Sequence, residues 1–312
     1  MDAIDEESAA AGRATTRRAL LILNRKARNG GLDISEPLRV LREGGIELEE
    51  RGCDSASALA ATIRAGAGEF DLVIVGGGDG TLNCAAPGLI DTGLPLGILP
   101  LGTANDLART LGIEPDPAAA ARVIVEGHER PIDLGEVNGR LFFNVASIGF
   151  SADLARELTR EAKKRWGVLG YAMAGARLLA RTRPFTAFIE HDNEIFKVKT
   201  VQIAVGNGRH YGGGLTMDPE AEPDDGQFHV YSLEVDNWWR LVALAPSLKR
   251  GTHGSWRDVR AFTTSAVTIR TRRSRSVNTD GELTTATPAV FRVRKRAVRV
   301  FAPAAPGGEA AR

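Results

Sequence analysis

Three short runs of this 312-residue chain carry residue types that hold phosphate. The first, Gly76-Gly77-Gly78-Asp79-Gly80-Thr81-Leu82-Asn83, follows the apolar run Leu72-Val73-Ile74-Val75. Glycine directly after a buried strand lets the backbone turn sharply and lets a ligand approach main-chain N–H groups. A helix starting there aims its free N–H groups and positive dipole end at the same spot. The run is not a Walker loop, because no G-x-x-x-x-G-K-[ST] string exists. It is not a dinucleotide fingerprint either, because Thr81 stands where the last glycine of G-x-G-x-x-G is required. Asp79 would repel bare phosphate. It makes sense as a partner for a magnesium ion bridging phosphates, or for waters around that ion. The bland alternative is a tight turn with Asp79 capping the helix.

The second run, Leu99-Pro100-Leu101-Gly102-Thr103-Ala104-Asn105-Asp106, repeats the design: a strand ends in Gly102-Thr103, and Asn105-Asp106 opens a helix. Asn105 alone reads equally as a helix cap. The third run, Asn24 to Gly31, sets Arg25, Lys26 and Arg28 between an asparagine and two glycines. It reads as a basic lid over polyphosphate, or as a solvated basic turn.

The elements that must position these loops alternate strand and helix over the first 130 residues. Residues 19–24, 46–52, 70–78 and 94–103 read as strands, the third continuously apolar as in a strand buried on both faces. Helices are expected between them, which argues for a parallel sheet covered by helices. In this architecture ligands bind at the carboxyl edge of the strands, where the three loops would lie side by side. After Arg130-Pro131-Ile132-Asp133-Leu134-Gly135 the rhythm changes. Asn138-Gly139 signals a two-residue hairpin. A long helix is expected at 166–182, and the segments 184–192, 194–208, 227–235, 260–271 and 289–303 read as mostly antiparallel β.

Composition narrows the class of function. Net charge is +1, so no global field advertises nucleic acid as a partner. Two cysteines, Cys53 and Cys84, exclude a disulfide framework and fit a reducing, cytoplasmic setting. Residues 1–17 are polar and Ala-rich, expected to be a disordered tail without a signal peptide's apolar centre. The last ten residues are expected to fray. No run of about 18 apolar residues occurs, so no transmembrane segment is expected. His210, His229 and His253 stand in no ligand-like spacing with Cys, Asp or Glu and read as structural.

Together, Gly77 to Asn83, "LPLGTANDLART" (99–110) and "NRKARNG" (24–30) resemble the diacylglycerol kinase catalytic-domain family, in the group of bacterial soluble lipid kinases. "PIDLGEVNGRLFFNVASIGF", "GGGLTMDPEAEPDDGQFHVY" and "VNTDGE" match the group's patterns in the same order, so the resemblance covers residues 18–304. It implies an α/β fold: an NAD-kinase-like nucleotide-binding domain with a parallel sheet at 18–130, and an antiparallel β-sandwich lipid-substrate domain at 131–295. A last strand, about 296–304, would return to the first domain. It also implies ATP-dependent phosphorylation of a lipid hydroxyl with Mg2+, most simply diacylglycerol to phosphatidic acid.

Carried over motif by motif, the resemblance places Asn24, Arg28, Gly30, Gly77, Gly78, Asp79, Gly80, Thr81, Leu82, Asn83, Thr103 and Asn105 around the nucleotide. Two positions depart from the pattern: Arg25 stands where proline is usual, and Cys53 where a nucleotide-contacting threonine is usual. Asp225 matches a magnesium-site carboxylate, with backbone carbonyls of Glu222 and Gln227 as companions. Glu282 matches the general base, with Asp280 beside it and Asp133 in the same network. A carboxylate base needs a raised pKa at neutral pH, which those two acids would supply. Read alone, Asp280-Gly281-Glu282 is an acidic hairpin turn.

The acceptor would be met at a membrane surface by a cytoplasmic protein. Nine Lys/Arg lie in 270–299, against Asp280 and Glu282, and basic clusters attract anionic headgroups. Trp238-Trp239 and the amphipathic run 163–179 are candidate interfacial segments; core packing and ordinary basic strand faces are the alternatives. A homodimer stays open. Competing readings are a ceramide, sphingoid-base or other long-chain alcohol kinase on the same fold, and a nucleotide-binding regulator without turnover. An NAD kinase would be supported by the G-G-D-G-T loop alone.

Overall fold

The computed structural model describes residues 16–24, 33–52, 56–157, 183–235 and 238–304. The expected helix at 166–182, the amphipathic run 163–179, Arg28, Gly30 and Cys53 lie outside them, as do the side chains of Trp238 and Trp239.

The first lobe follows the alternation in the sequence. Strands β1 (Arg17–Leu23), β2 (Ile46–Glu50), β3 (Leu72–Gly77) and β4 (Leu96–Pro100) pair parallel in the order β2-β1-β3-β4. Helices α1 (Ser35–Glu43), α2 (Ala56–Ala65), α3 (Asp79–Thr92), α4 (Asp106–Thr110) and α5 (Pro117–Glu126) connect and cover them. Every residue of β3 and β4 is buried, which is why both read as unbroken apolar runs rather than as alternation. Left-handed Gly93 ends α3, and Asp116 caps α5 through the N–H groups of Ala118 and Ala119.

The second lobe is two stacked sheets and a two-stranded ribbon of β11 (His210–Tyr211) and β12 (Leu215–Thr216). One has six antiparallel strands in the order β14 (Val259–Thr264), β13 (Phe228–Leu233), β10 (Gln202–Gly206), β7 (Val145–Gly149), β16 (Ser276–Thr279) and β17 (Glu282–Ala286). The other continues the sheet of the first lobe: β18 (Ala289–Phe301) follows β4, then β15 (Ala266–Thr271), β8 (Phe185–His191) and β9 (Glu194–Thr200). Strand β5 (Glu129–Val137) pairs antiparallel with β18 along its length and turns through Asn138-Gly139, both at positive φ, into β6 (Arg140–Phe142). The hairpin expected at that dipeptide is present.

Strand β18 joins the lobes. It pairs antiparallel with β15 at Ala289–Arg292, slips register between Arg294 and Val298, and meets β4 in parallel at Val300. Two segments that read as single strands are each split between the sheets. The run 194–208 breaks at Val201 into β9 and β10, and 260–271 breaks at Ser265 into β14 and β15. Both corners use the same device, a threonine hydroxyl bonding the backbone two residues ahead: Thr200 Oγ1 to Gln202 O (2.8 Å) and Thr264 Oγ1 to Ala266 O (2.9 Å). Strands that switch sheets in a sandwich need such corners, and an apolar pattern does not reveal them.

Three clusters form the cores: one between the parallel strands and their helices, one between the two sheets, and one on the outer face of the second sheet. The middle cluster is centred on fully buried Phe291, whose ring lies 6.4 Å edge-on from both Phe142 and Phe228. Phe291→Ala is expected to cost about 3–5 kcal/mol, as for other buried aromatic truncations, read as a lower urea midpoint. A loss below about 1 kcal/mol would mean that the two sheets do not depend on this contact.

Candidate active site

The glycines let two loops touch backbone to backbone. A Cβ on Gly78 would lie 3.0 Å from Gly102 Cα, and one on Gly102 would strike Gly78. Leu101 N donates to Gly77 O, and Gly78 O receives the N–H groups of Thr81 and Leu82. Asn24, at the end of β1, donates its amide to Thr81 Oγ1 (2.9 Å) and its backbone N–H to Gly76 O. The ends of three neighbouring strands are thereby tied beside the N-terminus of α3, whose first N–H groups have no carbonyl partner within the helix.

Asp79 is not the cap of its own helix. The cap position is Gly78, in extended backbone and with no side chain to offer. Asp79 Oδ1 instead accepts from Leu107 N (3.1 Å) in α4 and from Asn144 Nδ2 (3.2 Å), which lies between β6 and β7. One carboxylate oxygen thus meets both lobes. Asn105 has left-handed backbone and folds its side chain onto Gly102, accepting from its N–H and donating to its carbonyl. It locks its own loop and does not cap α4. Thr103 is exposed beside it, whereas the Leu82 side chain is buried in the first core, so Leu82 can serve this site only through its backbone.

Asp280 has positive φ in the turn between β16 and β17. Its carboxylate accepts the N–H groups of Phe143 (2.7 Å), Asn144 (3.0 Å) and Val145 (2.9 Å). Burial, together with the Asp79 charge, raises its pKa to about 7 against the pull of those donors. Asp280 therefore fixes the segment that carries Asn144 to Asp79. Glu282, two residues on, is exposed; its Oε1 lies 3.7 Å from where a Cβ on Gly80 would be, facing the start of α3 across the lobes.

Asp133 does not join Glu282 as expected. Its buried carboxylate accepts from Gly226 N (2.7 Å) and from Arg296 N (2.6 Å), at the register slip of β18. It ties the 218–227 loop to that irregular backbone.

The same loop holds the candidate metal residues Glu222, Asp225 and Gln227. Asp225 accepts from the backbone N–H groups of Gln227 (2.8 Å) and Glu222 (3.3 Å), which holds the three residues together in one turn. The Glu222 carboxylate is ion-paired with Arg130 and Arg209. His229 lies between Asp218 (3.1 Å) and Asp225 (3.0 Å), so it is not the unpaired histidine its sequence context suggested. Burial disfavours its charge, but the two carboxylates outweigh that and raise its pKa, while Asp225 is lowered. Among the described residues, no group of three His, Cys, Asp or Glu could hold a metal ion.

Two contributors escaped the motif reading. Asp106 is buried, and its carboxylate accepts from Gly213 N and Gly214 N in the glycine-rich 212–214 turn. Burial and the nearby Asp79 raise its pKa. Asn144 carries the contact to Asp79, and its Oδ1 is buried with no partner among the described residues. Position beside Gly102-Thr103 could have flagged Asp106; nothing local distinguishes Asn144.

The family model described as the diacylglycerol kinase catalytic domain matches residues 18–137, and that of the YegS C-terminal NAD kinase beta sandwich-like domain matches residues 144–302. A diacylglycerol kinase of Bacillus subtilis (strain 168) is 31% identical over 274 residues, covering 86% of this chain and 90% of that protein. A Klebsiella pneumoniae (strain 342) protein named "Probable lipid kinase YegS-like" is 35% identical over 221 residues, 70% of this chain and 74% of that one. The crystal structure of a diacylglycerol kinase from Bacillus anthracis str. Sterne superposes with a TM-score of 0.78 at 25% identity, covering 94% of this chain and 99% of that one. The chain therefore belongs to the diacylglycerol kinase catalytic-domain family of lipid kinases.

Proposed function

We propose that this chain transfers the γ-phosphate of ATP, with magnesium, to a lipid hydroxyl, and that diacylglycerol is the acceptor, giving phosphatidic acid. The observation that carries this reading is Glu282 Oε1 facing Gly80 at the start of α3. A proton acceptor on one lobe thus stands opposite a phosphate-type helix terminus on the other. The relatives' names support the substrate class, diacylglycerol for one and lipid for the other.

Phosphoryl transfer asks for placement, charge neutralisation and a base for the hydroxyl. The N–H groups opening α3 receive phosphate oxygens, and the Asn24–Thr81 and Asn105–Gly102 bonds keep the loops closed around them. Asp79 Oδ2 and Asn144 Oδ1, neither with a hydrogen-bond partner among the described residues, are hard oxygen donors suited to the ion that travels with ATP. That ion offsets charge on the phosphate oxygens when bound. Glu282 takes the proton of the acceptor hydroxyl as its oxygen bonds to the γ-phosphorus and the bond to the ADP oxygen breaks. Asp280 holds Asn144 in register and is a positioning residue.

Incubation with γ-labelled ATP, magnesium and a lipid panel should label a lipid, with diacylglycerol the strongest acceptor. Label on ceramide or a sphingoid base would reassign the acceptor, and no labelled lipid would overturn the reading. Glu282→Ala should lower turnover by roughly 10²–10⁴-fold with the fold intact; near-normal turnover would move the base elsewhere. Asp280 makes the stability pH-dependent. Its folded pKa, about 7, is above its ordinary 3.8, so its stabilisation is complete at low pH and is lost as pH rises through about 7. The stability advantage of the native chain over Asp280→Asn should shrink as pH rises from about 4 to about 7 and then level off. A pH-independent difference in urea midpoints would contradict that assignment.

A further inference from the structure

A groove of about 380 Å³ runs along α3 between the lobes, starting at Asn83, the last residue of the glycine run. Asn83, Pro87 and Ile90 line it at positions i, i+4 and i+7, one face of the helix, and Cys84 lies beside them. Leu141 of β6 forms the opposite apolar wall. From Asn83 to Ile90 the helix rises about 10 Å. The near end opens beside the catalytic centre: Thr284, two residues from Glu282, lines it, and Cys84 is close enough that Glu282, after burial, raises its thiol pKa.

That end is rich in acceptors and poor in donors. Asn83 Oδ1 is buried without a partner among the described residues. Pro87 lacks the N–H that would donate to the Asn83 carbonyl in the helix. The rim carries the opposite chemistry. Arg64 is paired with Asp91 and Arg294 with Glu136, while Arg140, exposed beside the Asn138-Gly139 turn, has no ion-pair partner among the described residues.

We propose that this groove holds the acceptor lipid as an acylglycerol, an inference that rests on the kinase reading above. Its free hydroxyl donates at the Asn83 end within reach of Glu282, its acyl chains cover Cys84, Pro87, Ile90 and Leu141, and Arg140 donates to an ester carbonyl. Asn83 then serves the acceptor rather than the nucleotide. An acylglycerol suits the groove better than an anionic phospholipid, since two of the three rim arginines are already neutralised and the floor is apolar.

The test uses the full chain and the reactivity of Cys84 toward N-ethylmaleimide, followed on its own peptide by mass spectrometry. Saturating dioctanoylglycerol should slow modification about tenfold, as mass action requires for a ligand that covers the thiol, and an unreactive ATP analogue should not. Arg140→Ala, an exposed change that leaves the core alone, should raise the KM for dioctanoylglycerol about tenfold, the loss of one charged hydrogen bond, with the KM for ATP unchanged. Diacylglycerol phosphorylation with Cys84 unprotected and an unaltered acceptor KM in Arg140→Ala would overturn the groove and leave the kinase reading standing. Protection without transfer to any lipid would keep the groove and sink the kinase reading. Equal protection by phosphatidylglycerol vesicles lacking diacylglycerol would overturn the acylglycerol assignment.

Discussion

Everything at the candidate site depends on two lobes meeting at one carboxylate. Asp79 bonds α4 on its own lobe and Asn144 on the other. For that to happen, the Gly78 and Gly102 backbones must come within contact distance, which only glycine permits. Side chains at those positions would separate the loops and pull the start of α3 away from Glu282. The glycine content of the run is thus set as much by loop-to-loop packing as by ligand approach.

The carboxylates around Asp79 divide the work by environment. Asp106 and Asp280 are both raised by burial and by the Asp79 charge, and both are tied to backbone N–H groups. They order the 212–214 turn and the 143–145 segment and are not available to a substrate. Glu282 is exposed at the lobe boundary, where a proton acceptor can meet an incoming hydroxyl. Asp133 and Asp225 belong to a separate assembly that pins the 218–227 loop to β18, with His229 between the Asp218 and Asp225 carboxylates. The nonadditivity typical of coupled polar groups applies to both assemblies.

The legible parts of the sequence were those whose cause is local. Buried parallel strands, the glycine loop and the Asn138-Gly139 turn follow from composition within a few residues. The return of the last strand to the first lobe was expected only through the family resemblance, and the threonine corners at Thr200 and Thr264 were not legible, because both depend on pairing partners far along the chain. The same holds for the site. Asp79 stood out as an acid among glycines. Its partner Asn144 is 65 residues away, and the acid that orders Asn144, Asp280, is 136 residues beyond that. Asp133 was grouped with Glu282 by motif order, but its side chain serves another loop.

Whether Asp79 and Asn144 act as one unit can be measured directly with a double-mutant cycle on turnover, using Asp79→Asn, Asn144→Ala and the pair in the same lipid kinase assay. If the clasp holds the lobes in reacting position, the double variant should be no slower than the slower single variant, because the second change removes what the first has already broken. Losses that add in full, as for independent sites, would contradict the clasp.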